Sequence, residues 1–205
     1  MAMENLEKKF NRTSRIYDSV DYLFERFRYR KLRQRIWRNL TGRILDAGIG
    51  TGCNIPFYPD DAEVTGIDMS QGMLEKARKK AERLGRAAQI VKGDVAVLQC
   101  PDNYYDAVVA TFLCCVVREP DRVARELKRI CKPSGQIILL EYVLSKRLIR
   151  RLIQKMITPY TRFLFGVDFT QDTLGKLVAA GYDLVHVEDI TADILKLIIA
   201  KPGKK

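Results

Sequence analysis

The chain has 205 residues and a net charge of +11, a length that buries a substantial core in one domain. No apolar run reaches the ~18 residues of a membrane span, and the opening MAMENLEKKFNR lacks a signal-peptide apolar core, so the expectation is an intracellular protein, soluble or peripherally bound. Five cysteines without a Cys-x-x-Cys pair and a single histidine argue against a zinc site or a disulfide framework, and no metal is expected.

The positive charge is unevenly placed. Residues 21–40 hold seven Lys/Arg against Asp21 and Glu25, and residues 145–165 hold six with no acid. Together these two segments carry the whole excess, so the rest of the chain is neutral and the basic segments call for an anionic partner.

In chain order, the first basic segment contains YRKLRQRIWRNL, where Tyr29, Leu32, Ile36, Trp37 and Leu40 fall on one helical stripe. A strand, RILDAG (43–48), then runs into a glycine loop, and EVTGID (63–68) follows as the second strand. SQGMLEKARKKAERLG (70–85) reads as a helix capped by Ser70 and stopped at Gly85. Next come AQIVKGD (88–94), YDAVVATF (105–112), a helix over EPDRVARELKRICKPSG that stops at Pro133-Ser134-Gly135, and GQIILLEYV (135–143).

SKRLIRRLIQKM sets Leu148, Ile149, Leu152, Ile153 and Met156 on a stripe opposite Arg147, Arg150, Arg151 and Lys155, and Thr158-Pro159 is expected to break that helix. A short helix, TQDTLGKLVAAG, and two strands, DLVHVEDI and ILKLIIAKP, close the chain as an antiparallel hairpin. Strands alternating with helices predict an α/β protein with a mostly parallel sheet, helices on both faces and this hairpin at one edge. His186 falls in the expected edge strand and reads as structural, and the adjacent Cys114 and Cys115 read as packed thiols.

The glycine loop carries the first chemical signal. In open parallel sheets, ligands bind beyond the carboxyl ends of the strands. The dinucleotide fingerprint is G-x-G-x-x-G, but here Gly48, Gly50 and Gly52 are spaced G-x-G-x-G and Cys53 takes the third glycine's place. Asp46, two residues before the first glycine, would repel a phosphate and suit a cation.

LDAGIGTG resembles motif I of the class I S-adenosylmethionine methyltransferases, and its companions follow in order over roughly residues 40–200. The resemblance implies a Rossmann-like, seven-stranded methyltransferase fold. It also implies S-adenosyl-L-methionine as cofactor, with S-adenosyl-L-homocysteine as product. The expected cofactor-binding residues are Asp46, Ala47, Gly48, Gly50, Gly52, Asp68, Met69, Asp94, Val95, Thr111 and Phe112. In the family, the acid matched by Asp68 binds the ribose hydroxyls, the acid matched by Asp94 takes the adenine amino group, and Thr111 and Phe112 lie beside the methionine arm.

The same resemblance divides a single 1–205 domain into a basic helical lid (1–40), a cofactor-binding core (41–143), a basic amphipathic insertion (144–166) and a C-terminal helix with a strand hairpin (167–205). Both basic segments then flank the methyl-transfer site. Basic amphipathic helices with aromatic residues read as interfacial membrane elements, with Arg28, Arg35, Trp37, Arg147, Arg150, Arg151 and Lys155 as membrane-binding residues, or else as ordinary lid helices with the apolar side on the core and the charges in water. Nucleic acid is not expected, because TFLCCVVREP stands where base-modifying enzymes carry an N/D-P-P-Y/F motif.

Within the superfamily, NRTSRIYDSVDYLFERF, IPFYPDDAEVTGIDMSQGML and LEYV resemble bacterial phosphatidylethanolamine N-methyltransferases and the related ubiquinone/menaquinone methyltransferases, and FYPDDAEVTGID, TFLCCV and FLFGVDFT resemble the animal membrane thiol methyltransferases. The expectation is a cytoplasmic monomer held at the inner face of an anionic phospholipid membrane, N-methylating phosphatidylethanolamine. A lipophilic thiol or quinone precursor is the alternative acceptor, and a cofactor-binding adaptor without activity the alternative role. Tyr17, Tyr22, Glu141 and Tyr142 are the candidate catalytic residues, a carboxylate or phenol being able to hold an ammonium and take its proton.

Overall fold

The computed structural model describes residues 29–203. The chain divides into two compact units, residues 1–94 and 95–205. Their seven strands make the mixed, mostly parallel sheet expected, in the order β3-β2-β1 within the first unit and β4-β5-β7-β6 within the second.

In the first unit, α1 (Arg30–Trp37) precedes β1 (Gly42–Ala47), β2 (Ala62–Asp68), α2 (Gln71–Leu84) and β3 (Gln89–Lys92). The three strands are parallel, with Asp46 opposite Gly66 and Asp68 opposite Lys92. The stripe of α1 turns into the core: Tyr29, Leu32, Ile36, Trp37 and Leu40 are all buried. Trp37 is therefore a core residue and not a membrane contact, because its indole packs on Tyr58 at 4.5 Å between ring centroids, a contact of about 0.5–1.5 kcal/mol beyond burial. The α2 caps are those the sequence predicts. Ser70 Oγ accepts the Met73 N–H, and Gly85 ends the helix at φ +61°, a region open to glycine.

In the second unit, β4 (Tyr105–Thr111) pairs in parallel with β5 (Cys131–Tyr142), with α3 (Pro120–Ile130) between them in sequence. The expected stop at Pro133-Ser134-Gly135 comes earlier. The helix ends at Ile130, Cys131 is already extended, and the Pro-Ser-Gly stretch lies within β5 beside a register shift between Tyr105 and Ala107. Then follow α4 (Leu148–Phe165), α5 (Thr173–Ala179), β6 (Asp183–Thr191) and β7 (Leu195–Lys201). β7 runs antiparallel to both β5 and β6, giving the expected edge hairpin. His186 lies exposed on β6, 3.4 Å from Glu188.

α4 departs from expectation at Pro159, which does not break it. The helix continues to Phe165 and ends at Gly166, φ +77°. Proline removes one backbone donor, the one that would reach the Lys155 carbonyl, and in the preceding turn the Thr158 hydroxyl donates to the Gln154 carbonyl at 2.6 Å. The continuation adds Tyr160, Phe163 and Leu164 to the apolar stripe.

Candidate functional site

The glycine loop of the first unit leaves β1 at its carboxyl end. Gly48, Gly50 and Gly52 all have positive φ, at 72°, 55° and 79°. The loop is tied to β2 by Gly48 and Ile49, whose N–H groups both donate to the Ile67 carbonyl. At Gly52, a Cβ would collide with Ile55 and crowd the Ala77 backbone, so the loop closes tightly on α2. At Gly50, a Cβ would meet nothing within 4 Å. Open space beside a bare backbone is what a ligand approaching the main chain requires.

Asp68 ends β2 facing this loop. Its Oδ2 accepts the Gly50 N–H at 3.0 Å and its Oδ1 accepts the Ser70 N–H at 2.9 Å. Burial pushes the carboxyl up, and the backbone N–H groups of Ser70, Gly50 and Met69 act the other way. The carboxylate keeps acceptor capacity beyond these bonds, which suits a ribose hydroxyl. Gly93 donates to the Asp68 carbonyl at 3.0 Å, fixing the turn that leads to the half-buried Asp94.

Asp46 behaves differently. It is wholly buried and both its oxygens are engaged: Tyr58 donates its hydroxyl at 2.5 Å and Asn54 its amide at 2.9 Å. Arg33, itself buried, donates to the Asn54 side-chain Oδ1 at 2.5 Å. Burial raises the Asp46 carboxyl to about 6, against the pull of Tyr58, Asn54 and Arg33. Asp46 therefore does not meet a ligand directly; it braces the loop from below. Asn54, Tyr58 and Arg33 escape a reading by sequence, although Asn54 and Tyr58 follow the glycine motif closely.

The second unit holds the other expected residues. Val95 is buried and Thr111 half-buried. Phe112 has φ +58°, strained for a residue with a Cβ, and donates its N–H to the Leu140 carbonyl at 2.8 Å. Its ring lies 5.3 Å from that of Tyr142, which meets Phe169 edge-on at 4.8 Å.

Glu141 is not the open acid the sequence suggests. It is fully buried, and Oε1 accepts the N–H groups of Leu113 and Cys114 at 2.7 and 2.8 Å. Oε2 is buried without a hydrogen-bond partner among the described residues. Burial raises its carboxyl to about 7. Cys114 and Cys115 beside it are buried, and burial followed by the Glu141 charge pushes both thiols well up, leaving them unreactive. Strand alternation sends Tyr142 and Glu141 to opposite faces of β5, and Tyr142 is the less buried of the two.

α4 holds the membrane-binding candidates, and it is turned inside out. Nine apolar residues on one half of the helix, Leu148 to Leu164, are 41–78% exposed. A narrow polar strip, Gln154 and Thr158, faces the protein instead. Buried Gln154 accepts the Ser145 N–H at 2.8 Å and donates to the carbonyls of Val143 and Phe169 at 2.9 and 3.1 Å. Asp193, in the β6–β7 turn, accepts from Ser145, from the Lys146 N–H and from Arg150 at 2.7–2.9 Å. Arg150 is thus an anchor, whereas Arg147, Arg151 and Lys155 are exposed, as is Arg35 on α1. Tyr17, Tyr22 and Arg28 lie outside the described residues.

A family model described as a methyltransferase domain matches residues 45–139. This chain carries a methyltransferase domain. S-adenosylmethionine is the methyl donor such a domain implies, and the open face at Gly50 with the Asp68 carboxylate beside it fits that molecule. The methyltransferase domain has several named relatives. A phosphatidylethanolamine N-methyltransferase from Cereibacter sphaeroides is 41% identical over 103 residues, 49% of this chain and 51% of that one. A human thiol S-methyltransferase is 29% identical over 157 residues, 74% of this chain and 64% of its own. A demethylmenaquinone methyltransferase from Clavibacter sepedonicus is 29% identical over 96% of this chain and 93% of its own. The first match spans about half the length of that relative, and the second under two thirds. Among solved structures, a Thermotoga maritima protein described as a methyltransferase, possibly of histamine, superposes with a TM-score of 0.73 at 21% identity, covering 96% of this chain and 99% of that one. The cyclase SpnF gives 0.70 at 22%, covering 85% and 80%. These likenesses establish the class I methyltransferase fold.

Proposed function

We propose that this protein is an S-adenosylmethionine-dependent methyltransferase that N-methylates phosphatidylethanolamine and its methylated derivatives at an anionic membrane surface. The observation that carries this reading is the inverted helix α4. Full burial of one large apolar side chain is worth about 1.5–3 kcal/mol. Nine such residues left largely in water therefore forgo on the order of 10 kcal/mol, more than the ~1 kcal/mol that each exposed cation gains near an anionic leaflet. A lipid interface satisfies both the apolar face and the cations of Arg147, Arg151 and Lys155. No helix among the described residues is long and apolar enough to cross a membrane, so on this reading the association is peripheral, at the cytoplasmic leaflet, by a monomeric single-domain chain. The similarity to a phosphatidylethanolamine N-methyltransferase supports the choice of acceptor.

S-adenosylmethionine supplies an electrophilic sulfonium methyl. On this reading, Asp68 and the glycine loop hold its ribose and backbone-facing side, Asp94 orients the adenine, and Asp46 keeps the loop in shape through Tyr58 and Asn54. The acceptor amine must reach the methyl as a free base, so a group has to take its proton. Tyr142, half-buried at the end of β5, and Tyr17 and Tyr22 of the opening segment are the candidates; Glu141, turned inward, is not. Alignment of the two groups supplies much of the rate, since orientation alone is worth several kcal/mol.

The near-complete alignment with a demethylmenaquinone methyltransferase favours a second reading, a quinone precursor as acceptor. Labelled methyl transfer to vesicles of phosphatidylethanolamine, to a membrane-dissolved quinone precursor and to a lipophilic thiol separates these. Label in monomethyl- and dimethyl-phosphatidylethanolamine is the expected result. Label in the quinone or thiol alone overturns the choice of acceptor, and label in none of them leaves a cofactor-binding adaptor.

A further inference from the structure

Three half-buried aromatic residues of the second unit form a continuous row: Phe112 after β4, Tyr142 at the end of β5, and Phe169 after α4. Two features set this row apart from ordinary packing. Phe112 is held at φ +58°, a strained conformation fixed by the N–H groups of Leu113 and Cys114 donating into Glu141 directly behind it. Phe169 is tied by its carbonyl to Gln154, the buried polar residue of the inverted helix. The row therefore begins at the helix with the exposed apolar face and ends at the strained residue beyond β4.

We propose that Phe112, Tyr142 and Phe169 form a recognition wall for the methylated ammonium of a phospholipid headgroup lying against α4. The proposal rests on the phospholipid reading and refines it. A methylated ammonium cannot be satisfied by hydrogen bonds once its protons are replaced by methyl groups. Its remaining attraction is for π faces, worth about 0.5–2 kcal/mol for each favourable ring. Exposed carboxylates are not needed at such a wall, and the two acids beside the row are both buried. Glu141 is buried beneath the β4 loop, and Asp168 accepts from Thr170 and Gln171 at 2.6–2.8 Å and pairs with Arg162 at 3.3 Å. The acceptor class follows. A thiolate or a phenolate from a quinone precursor would be repelled by the same π faces, whereas each added methyl makes an amine a better ligand for them.

The test uses short-chain lipids below their micelle concentration, so that binding is read without a membrane. Dihexanoyl phosphatidylcholine and dihexanoyl phosphatidylglycerol share chains and phosphate and differ in the ammonium. The full-length protein is expected to bind the choline lipid at least tenfold more tightly, by NMR titration of its N-methyl signal and by competition. Tyr142→Leu and Phe169→Leu should each remove most of that preference while lowering the thermal midpoint by no more than a few degrees, and Tyr142→Phe should keep it, with S-adenosylhomocysteine binding retained in all three. Choline should compete and 3,3-dimethylbutanol, its uncharged isostere, should not; this control needs no variant to fold. Equal binding of the two lipids, equal competition by the two alcohols, or Leu variants that keep the preference would overturn the wall. Failure of methyl transfer to phosphatidylethanolamine with the preference intact would instead overturn the enzymatic reading and leave the wall standing.

Discussion

The Oε1 atom of Glu141 accepts the N–H of Leu113 at 2.7 Å, so the acid the sequence offers as a proton acceptor is a buried brace for the loop after β4. Its carboxyl is raised from 4.5 to about 7. A carboxyl with a raised folded value favours the folded state fully below its unfolded value, and that contribution is lost as pH rises through the folded one. Glu141→Gln keeps an acceptor for Leu113 and removes the titration. The thermal midpoint of the wild type should therefore fall relative to the variant between about pH 4.5 and 7, by roughly 5–10 °C. Midpoint–pH curves that stay parallel would contradict the burial argument. Asp46 titrates in both proteins and cancels in the difference.

Tyr58→Phe tests the other buried acid. It deletes the hydroxyl held by Asp46 Oδ2 while keeping the ring on Trp37. An unsatisfied buried acceptor costs about 1–3 kcal/mol, so the thermal midpoint should drop by several degrees. Differential scanning calorimetry decides; an unchanged midpoint would mean that the Asp46 network contributes nothing.

Asp68→Ala removes the acceptor bonded to Gly50 and Ser70. Affinity for S-adenosylhomocysteine, read by titration calorimetry, should fall 10- to 100-fold, about 1.4–3 kcal/mol. An affinity equal to that of the wild type would remove Asp68 from the cofactor site.

Met156 and Phe163, 72% and 78% exposed, distinguish an interfacial helix from one packed in a core. Met156→Glu with Phe163→Glu should abolish sedimentation with anionic vesicles while shifting the thermal midpoint by no more than about 1 °C. A large loss of stability would mean that the apolar face is covered by protein. Charge is tested separately with Arg147→Glu, Arg151→Glu and Lys155→Glu combined, leaving Arg150 in place because it anchors the helix to Asp193. Sedimentation should weaken strongly at low salt, and unchanged sedimentation would exclude an electrostatic part.

The sequence by itself determined the order of strands and helices, the caps of α2, the glycine loop and the acids that follow it, because all of these rest on local chemistry: period, backbone freedom and capping. It also found both basic amphipathic stripes. It had no means of saying which way a stripe faces. The α1 stripe, with Trp37, turned inward, and the α4 stripe turned outward, since Gln154, Ser145 and Arg150 find hydrogen-bond partners in the protein on the opposite side. The same limit applied to the acids. Asp46, Asp68 and Glu141 are equivalent as letters at strand ends; tertiary structure engaged Asp46 with Tyr58, opened Asp68 to the loop and buried Glu141, because burial and hydrogen-bond partners arrive from residues distant in sequence.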